Sequence, residues 1–431
     1  MTDIAKRVYD HTWKIDPIVR SVLDTDFYKL LMAQTIFRRH RHARVTFSVI
    51  NRDEGVPLAK LIDEGELREQ LDHIRSLRLS RGESTWLRGN TFYGRRQMFT
   101  PEFIEWYEGF RFPDYELKRV GDQYELHFDG PWIETTMWEV PCLAVLMELR
   151  SRAVLREMGK FALQVLYARA MARVWEKTEA LAALDGVRIA DFGTRRRHSF
   201  LWQEWCVQAM REGLGEGFGG TSNCLLAMRH ELEAIGTNAH ELPMVYAALA
   251  GEDDAALARA PYAVLEDWQQ DYAGNLRIML PDTFGTPGFL EHAPGWADQW
   301  TGVRVDSGDP SEMAEYVIDW WRRRGQDPAS KRIIFSDGLD VEPIARLHRR
   351  FAHRCPVSFG WGTLLTNDFR DLVPGGGLDP FSLVCKVSGA GGRGTVKLSD
   401  NPRKAMGPAG EVERYKRVFG VGEQAERRLV V

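Results

Sequence analysis

The rhythm of hydrophobic and polar positions changes once along the chain, near residue 185. Before that point, DTDFYKLLMAQTIF (24–37) opens with acidic, capping-type residues and then places apolar side chains at helical spacing, which predicts a helix from about Asp26. VTFSVIN (45–51) alternates as a half-buried strand does. The charged stretch 58–78 suits helices, and YELHFD (124–129) reads as another short strand. Beyond residue 185 a short β-rich run repeatedly ends in an acidic or glycine-rich loop and leads into an amphipathic helix. Val187–Ala190 runs into DFGTRRRHS, Arg277–Leu280 into PDTFG, Val303–Val305 into DSGDPSE, Ile333–Phe335 into SDGLDVEP, and Val357–Phe359 into GWGT. Alternation at a spacing of roughly 25 to 30 residues implies parallel strands joined by right-handed crossovers, in a barrel or a doubly wound sheet. A barrel gathers its strand-end loops on one face. The division expected is an α/β domain over 1–160 and an α/β barrel over 161–431, with the stretch after about 400 a candidate to return to the first domain.

Composition narrows the function classes. With 44% hydrophobic and 27% charged residues the chain has the balance of a folded globular protein, and its net charge of -4 offers no basic excess for nucleic acid. Five scattered cysteines without a CxxC pair read as reduced core thiols. The N-terminal residues lack an apolar signal region, and the longest apolar run, Val140–Met147, is far short of the roughly 20 residues that cross a bilayer, so a cytoplasmic protein with no membrane partner is expected. Two segments match GxGxxG (215–220 and 389–394). The first follows a helical pattern and the second sits between two short strands, where a hairpin loop is expected.

The strand-end loops carry the chemistry. They hold carboxylates (Asp191, Asp282, Asp306, Asp309, Asp337, Asp340), cationic groups (Arg195, Arg196, Arg197, Arg304, His240) and glycine or hydroxyl loops (219–222, Gly236 and Thr237, Gly360–Thr363). Arginine forks and bare peptide N–H groups bind phosphate oxygens, and acids interleaved among them are explained if Mg²⁺ bridges carboxylates to a polyphosphate. Plainer roles compete: Asp309 and Asp340 as helix caps, one or two of Arg195–Arg197 in solvent, His240 as an ordinary partly buried histidine, and Trp202, Trp205, Trp320 and Trp321 as core. Spacing alone leads to a phosphate-handling α/β-barrel enzyme.

Eight segments in order, LDTDFYK (23–29), DFGTRRR (191–197), FGGTSN (218–223), GTNAHE (236–241), RVDSGDP (304–310), FSDGLD (335–340), FGWGT (359–363) and KLSDNPRK (397–404), resemble the bacterial nicotinate phosphoribosyltransferase family. The resemblance implies an irregular (β/α) barrel of the type II phosphoribosyltransferase kind with an N-terminal α/β domain. It also implies a homodimer with shared active sites, in which Asp26 and Tyr28 lie opposite the partner's barrel. Tyr28 and Phe192 would sandwich a pyridine ring. Arg195 and Arg304 would meet the substrate carboxylate or phosphates, and Ser222 and Thr237 would supply hydroxyls. Asp282 and Asp306 would serve the ribose and water-bridged Mg²⁺, and Asp337 with Gly360, Gly362 and Thr363 would hold the 5-phosphate. His240 would be phosphorylated by ATP, a co-substrate beside nicotinate and 5-phosphoribosyl-1-pyrophosphate (PRPP).

Three other readings stay open. Nicotinamide is the rival substrate, although Ser222 stands where the nicotinamide enzymes carry an aspartate, and a hydroxyl donates to a carboxylate without repelling it. A barrel glycosidase working through paired carboxylates would also stabilise positive charge at a sugar carbon, but needs no arginine and glycine-loop cradle. A non-catalytic scaffold leaves the strand-end acids and arginines without a purpose.

Overall fold

A computed structural model describes residues 17–401 and 405–421. Pro402, Arg403 and Lys404, the end of the last motif, lie outside the described residues, as does the N-terminal stretch that bore on targeting. The strands in chain order are β1 (Arg44–Asn51), β2 (Thr91–Phe92), β3 (Arg95–Arg96), β4 (Tyr115–Val120), β5 (Gln123–Pro131), β6 (Ile189–Asp191), β7 (Phe218–Thr221), β8 (Ile278–Met279), β9 (Gly302–Val305), β10 (Arg332–Phe335), β11 (Val357–Trp361), β12 (Leu383–Ala390) and β13 (Arg393–Gly394). Alternation dictates the first sheet: Tyr124, Leu126 and Phe128 of β5 are buried and their neighbours face outward. That antiparallel sheet has the order β13-β12-β1-β5-β4, and β2 pairs separately with β3.

The strands after residue 185 form one parallel sheet in the order β7-β6-β11-β10-β9-β8. Each has its polar loop at the carboxyl end, so the loops collect on one rim. The edge strands β7 and β8 do not pair with each other. An irregular segment crosses between them: Ala234 bridges to Thr221 at one edge, and Asn238 Nδ2 donates to the Ile278 carbonyl, 3.3 Å away, at the other. His240 follows directly. The local break in regular pairing is what delivers this histidine to the rim.

The chain returns to the first sheet earlier than about residue 400, through β12, which pairs with β1 over seven registered positions including Val49↔Cys385. Residues assigned above to the barrel therefore belong to the antiparallel sheet. The last described helix, Ala409–Phe419, packs on the barrel side, with Phe419 stacked on Phe284 at 4.4 Å between centroids and Arg414 donating to the Gly251 carbonyl. The 389–394 match is a β12–β13 hairpin, as its flanks imply. The cysteines are free and buried, and Trp202, Trp320 and Trp321 are core, with Trp205 partly buried against it. Among the described residues no helix is long and apolar enough to cross a membrane.

Candidate active site

Two groups of side chains meet where the parallel sheet's rim faces the first domain. The first is built around His240. Its Nδ1 lies 2.9 Å from Thr283 Oγ1, and its Nε2 lies 3.0 Å from Asp306 Oδ2, 2.9 Å from Lys397 Nζ and 3.7 Å from Asp282 Oδ2. Asp306 directly follows β9 and also accepts from Ser336, directly after β10; Asp282 follows β8 and accepts from Ser307 at 2.7 Å. Lys397 is held in place because the next two backbone N–H groups, of Leu398 and Ser399, both donate to the Thr283 carbonyl.

Electrostatics at this centre are divided. Burial, then the Lys397 ammonium, pushes His240 down to about 4, so the imidazole is neutral at neutral pH. With its proton on Nδ1 the neutral ring accepts at Nε2 from Lys397, whereas with its proton on Nε2 it donates to Asp306, so the two contacts belong to different tautomers. Burial raises the Asp306 carboxyl, but Arg304, His240 and Lys397 outweigh it and hold it well below the usual range. Asp282 Oδ1 is buried without a hydrogen-bond partner among the described residues. One ligand atom from each of His240, Asp282 and Asp306 lies within 4.8 Å of the others, a grouping able to hold a divalent cation. The two carboxylates, one with an orphaned oxygen, suit the hard oxygen coordination of Mg²⁺.

The second group surrounds Asp26. This residue stands at the N-cap position of the helix Phe27–Arg39 but makes no capping bond; its carboxylate accepts instead from Ser222 Oγ at 2.7 Å. Burial raises the Asp26 carboxyl despite Arg195 and Ser222 beside it. Arg195 lies over the Tyr28 ring at 5.7 Å, 3.3 Å from Glu139 Oε1 and 3.5 Å from Asp26 Oδ2. Its side chain is 36% exposed, the most open of the cations in this group. Tyr28, Glu139, Asp26 and Asp306 together stabilise the Arg195 cation against its burial, which puts Asp306 within electrostatic reach of both groups.

Several expectations are corrected by this geometry. Asp26 and Tyr28 lie against the barrel strands of their own chain: Asp26 pairs with Asn223, and Gly236 packs so closely on Tyr28 that a Cβ there would come within 2.7 Å of its backbone nitrogen. Gly360 is covered by the Phe192 ring, where a Cβ would fall 2.3 Å from ring carbons, so this glycine seats the ring and does not open a phosphate cradle. Gly362 and Thr363 continue the same turn beside the Phe192 carbonyl. Asp337 lines a hollow of 230 Å³ with Ser307, Gly308, Gly338 and Arg346, which adjoins the His240 group through the Ser307 hydroxyl on Asp282. Thr237 is buried between Gly236 and Asn238, and Arg304 donates to the Asn238 carbonyl at 3.0 Å. Of the three arginines, Arg197 is fully buried in a fork on Asp24, Arg196 is half-buried and Arg195 is partly open to solvent. Asp309 and Asp340 are caps, accepting from Ser311 and Glu312 and from Val341.

Four polar residues were not assigned roles by sequence. Lys397 lies in a recognised motif, and Lys29 in another, buried between Glu139 at 2.6 Å and Glu241 at 2.5 Å. Glu139 takes Lys29, Arg195 and Lys386 together; its only sequence signal is a single acid in the apolar stretch around Trp138 and Val140. Lys386 comes from β12, the strand whose return to the first sheet is set by long-range pairing.

Comparisons agree with this arrangement over both sheets. A sequence model of the nicotinate phosphoribosyltransferase (NAPRTase) family matches residues 187–423, and one of the NAPRTase N-terminal domain matches 23–147. The structure is similar to that of a nicotinate phosphoribosyltransferase from Vibrio cholerae, with a TM-score of 0.84 and 28% identity over 97% of this chain and 100% of that one. It is also similar to the enzyme of that name from Porphyromonas gingivalis, with a TM-score of 0.81 and 28% identity over 94% of this chain and 100% of that one. The chain belongs to the nicotinate phosphoribosyltransferase family.

Proposed function

We propose that this protein joins nicotinate to the ribose of PRPP, releasing pyrophosphate and forming nicotinate mononucleotide. The observation that carries the reading is the meeting on one rim of two acids, a neutral histidine and a lysine with an arginine beside a buried tyrosine ring. Loss of pyrophosphate develops positive charge at the ribose carbon, and Asp306, held ionised, supplies fixed negative charge near it. Tyr28 and Phe192 offer flat faces to the pyridine, Arg195 its exposed fork to the carboxylate, and Ser222 a hydroxyl. The pyridine nitrogen is itself the nucleophile, so no side chain has to remove a proton. Asp282 and Asp306 would hold Mg²⁺, which when bound neutralises charge on the departing pyrophosphate.

ATP coupling belongs to the same proposal. A neutral His240 presents a lone pair at Nε2 when Nδ1–H donates to Thr283, which is the form that accepts a phosphoryl group. Lys397 then lies beside the negative charge that the group adds. A homodimer remains part of the proposal, without Asp26 and Tyr28 as the shared residues. Incubation of the protein with nicotinate, PRPP, Mg²⁺ and ATP tests the reading: the mononucleotide should form, with nicotinate preferred over nicotinamide in competition. Absence of product with either pyridine refutes it. Unchanged ATP-stimulated turnover in His240→Ala, with undiminished acid-labile phosphoprotein, refutes the histidine's part alone.

A further inference from the structure

The hairpin of β2 and β3 turns through Tyr93 and Gly94, since Phe92 pairs with Arg95 and Thr91 with Arg96. Both turn residues have positive φ, 51° and 74°. This is the type I′ geometry, which asparagine followed by glycine adopts most readily. A tyrosine in the first position is strained, because its Cβ crowds the following carbonyl oxygen. Stacking does not explain the choice. Tyr93 lies over Phe27 with ring centroids 6.4 Å apart, a contact that phenylalanine would make equally well. What phenylalanine lacks is the hydroxyl, and both of that group's bonds go to one residue of the segment that crosses between β7 and β8. It accepts from the Gly236 N–H at 2.9 Å and donates to the Gly236 carbonyl at 3.2 Å. Burial pushes the phenol up from its ordinary value, so it keeps the proton that the second bond needs.

Gly236 sits between the two attachments of that segment. On one side Ala234 bridges to Thr221 and the Ile235 N–H donates to the Thr221 carbonyl, which ties the chain to β7; on the other, Asn238 reaches Ile278 of β8. Gly236 is buried, and a buried N–H or carbonyl needs a partner. One phenol supplies both. The clasp is itself held, because the Tyr93 N–H donates to Glu233 Oε1 at 3.0 Å and Arg95 donates to the Asp271 carbonyl at 3.0 Å. Behind Gly236 stands the backbone of Tyr28, close enough to leave no room for a Cβ. We infer that Tyr93 is a positioning residue for pyridine binding: its hydroxyl fixes Gly236, and Gly236 sets where the Tyr28 ring stands. The inference rests on the proposed reading of Tyr28 as a wall of the pyridine site. It gives the strained turn a purpose, since the unfavourable φ is what aims this hydroxyl at the crossing segment.

Tyr93→Phe removes the hydroxyl alone and tests the inference. KM for nicotinate should rise about tenfold, while kcat and KM for PRPP change less than about threefold, as expected when buried polar groups lose a partner beside one substrate and not the other. Hydrogen exchange over residues 233–238, followed by mass spectrometry on the full chain without substrates, should quicken about tenfold. Glu233→Ala, which frees the Tyr93 backbone, should raise KM for nicotinate by less, and Glu233→Gln, which keeps an accepting oxygen, should recover it. An unchanged KM for nicotinate in Tyr93→Phe overturns the inference, and so does an equal rise in KM for PRPP, which would mark general loosening. Unchanged exchange overturns the clasp itself. A wild type that forms no mononucleotide sinks the reading of the pyridine site instead, and the exchange result then decides by itself whether Tyr93 holds Gly236.

Discussion

Two buried ionic clusters lie at the carboxyl ends of different strands of the parallel sheet, β6 and β7 for one and β8 to β10 for the other, and they are finished differently. Around Asp24, the Arg197 fork closes on both carboxylate oxygens at 2.6 and 2.8 Å, Asn223 adds a third donor at 2.8 Å, and Gln203 ties Arg197 to Asp191. One cation faces one anion there, and both side chains are wholly out of water. Around His240, two acids face one lysine and a neutral ring, Asp282 keeps an oxygen without a partner, and two contacts at Nε2 demand different tautomers. The first cluster satisfies both oxygens of its acid within the chain, leaving Arg197 Nε without a partner among the described residues, and fixes the join between the N-terminal segment and the barrel. The second is incomplete without a charged ligand. Burial of ions marks both; an excess of acid with an open carboxylate oxygen marks the site.

The largest expected effect separates them through stability. Arg197→Met should leave Asp24 buried and unpaired and destabilise the fold by about 3 to 5 kcal/mol in urea unfolding, while the rate per folded molecule changes little. The reverse pattern is expected of Asp306→Asn and Asp282→Asn: mononucleotide formation should fall by about 10²- to 10³-fold with little change in urea midpoint, as expected when fixed charge at a reacting centre is removed. A large loss of stability in both aspartate variants would place the His240 cluster with the structural one. Gly360→Ala should push the Phe192 ring from its seat and raise KM for the pyridine by about tenfold, roughly 1.4 kcal/mol, with a smaller change in kcat.

The smallest effect concerns pH. His198, next to Arg197 and stacked on Phe369, is pushed by burial down to about 3, with Arg150 adding to the shift. The unfolded chain takes up this proton near pH 6.5 and the folded chain does not until far lower. Stability from His198 is therefore fully present above about pH 6.5 and is lost progressively as pH falls toward 3. His198→Phe should flatten that part of the curve in urea unfolding followed against pH.

Legibility in the sequence tracked how local each feature is. The alternation of β-run, loop and helix after residue 185 gave five of the six parallel strands within a few residues, because the apolar period is a property of neighbours in the chain. The sixth, β7 (Phe218–Thr221), reads as a glycine loop, since Gly219 and Gly220 interrupt it and no apolar run marks it. The return of β12 to β1 was missed because its partner lies more than 300 residues away and nothing in Leu383–Ala390 names it. Asp26 reads as a helix cap, and only the approach of Ser222 shows where its carboxylate goes. Gly360 reads as a phosphate loop until the Phe192 ring is seen filling its space. Among the rim groups, Asp282, Asp306 and His240 were found by chemistry and converge; Asp337 was found by the same reasoning and lines the hollow next to them.

Calorimetric titration of PRPP with Mg²⁺ into the wild type and Asp282→Asn tests the claim of an unfinished centre most directly. The Asp282 oxygen that lacks a partner should find one in the complex, so the variant should bind at least tenfold more weakly, about 1.4 kcal/mol, while its urea midpoint stays near that of the wild type. Equal affinities would contradict the account.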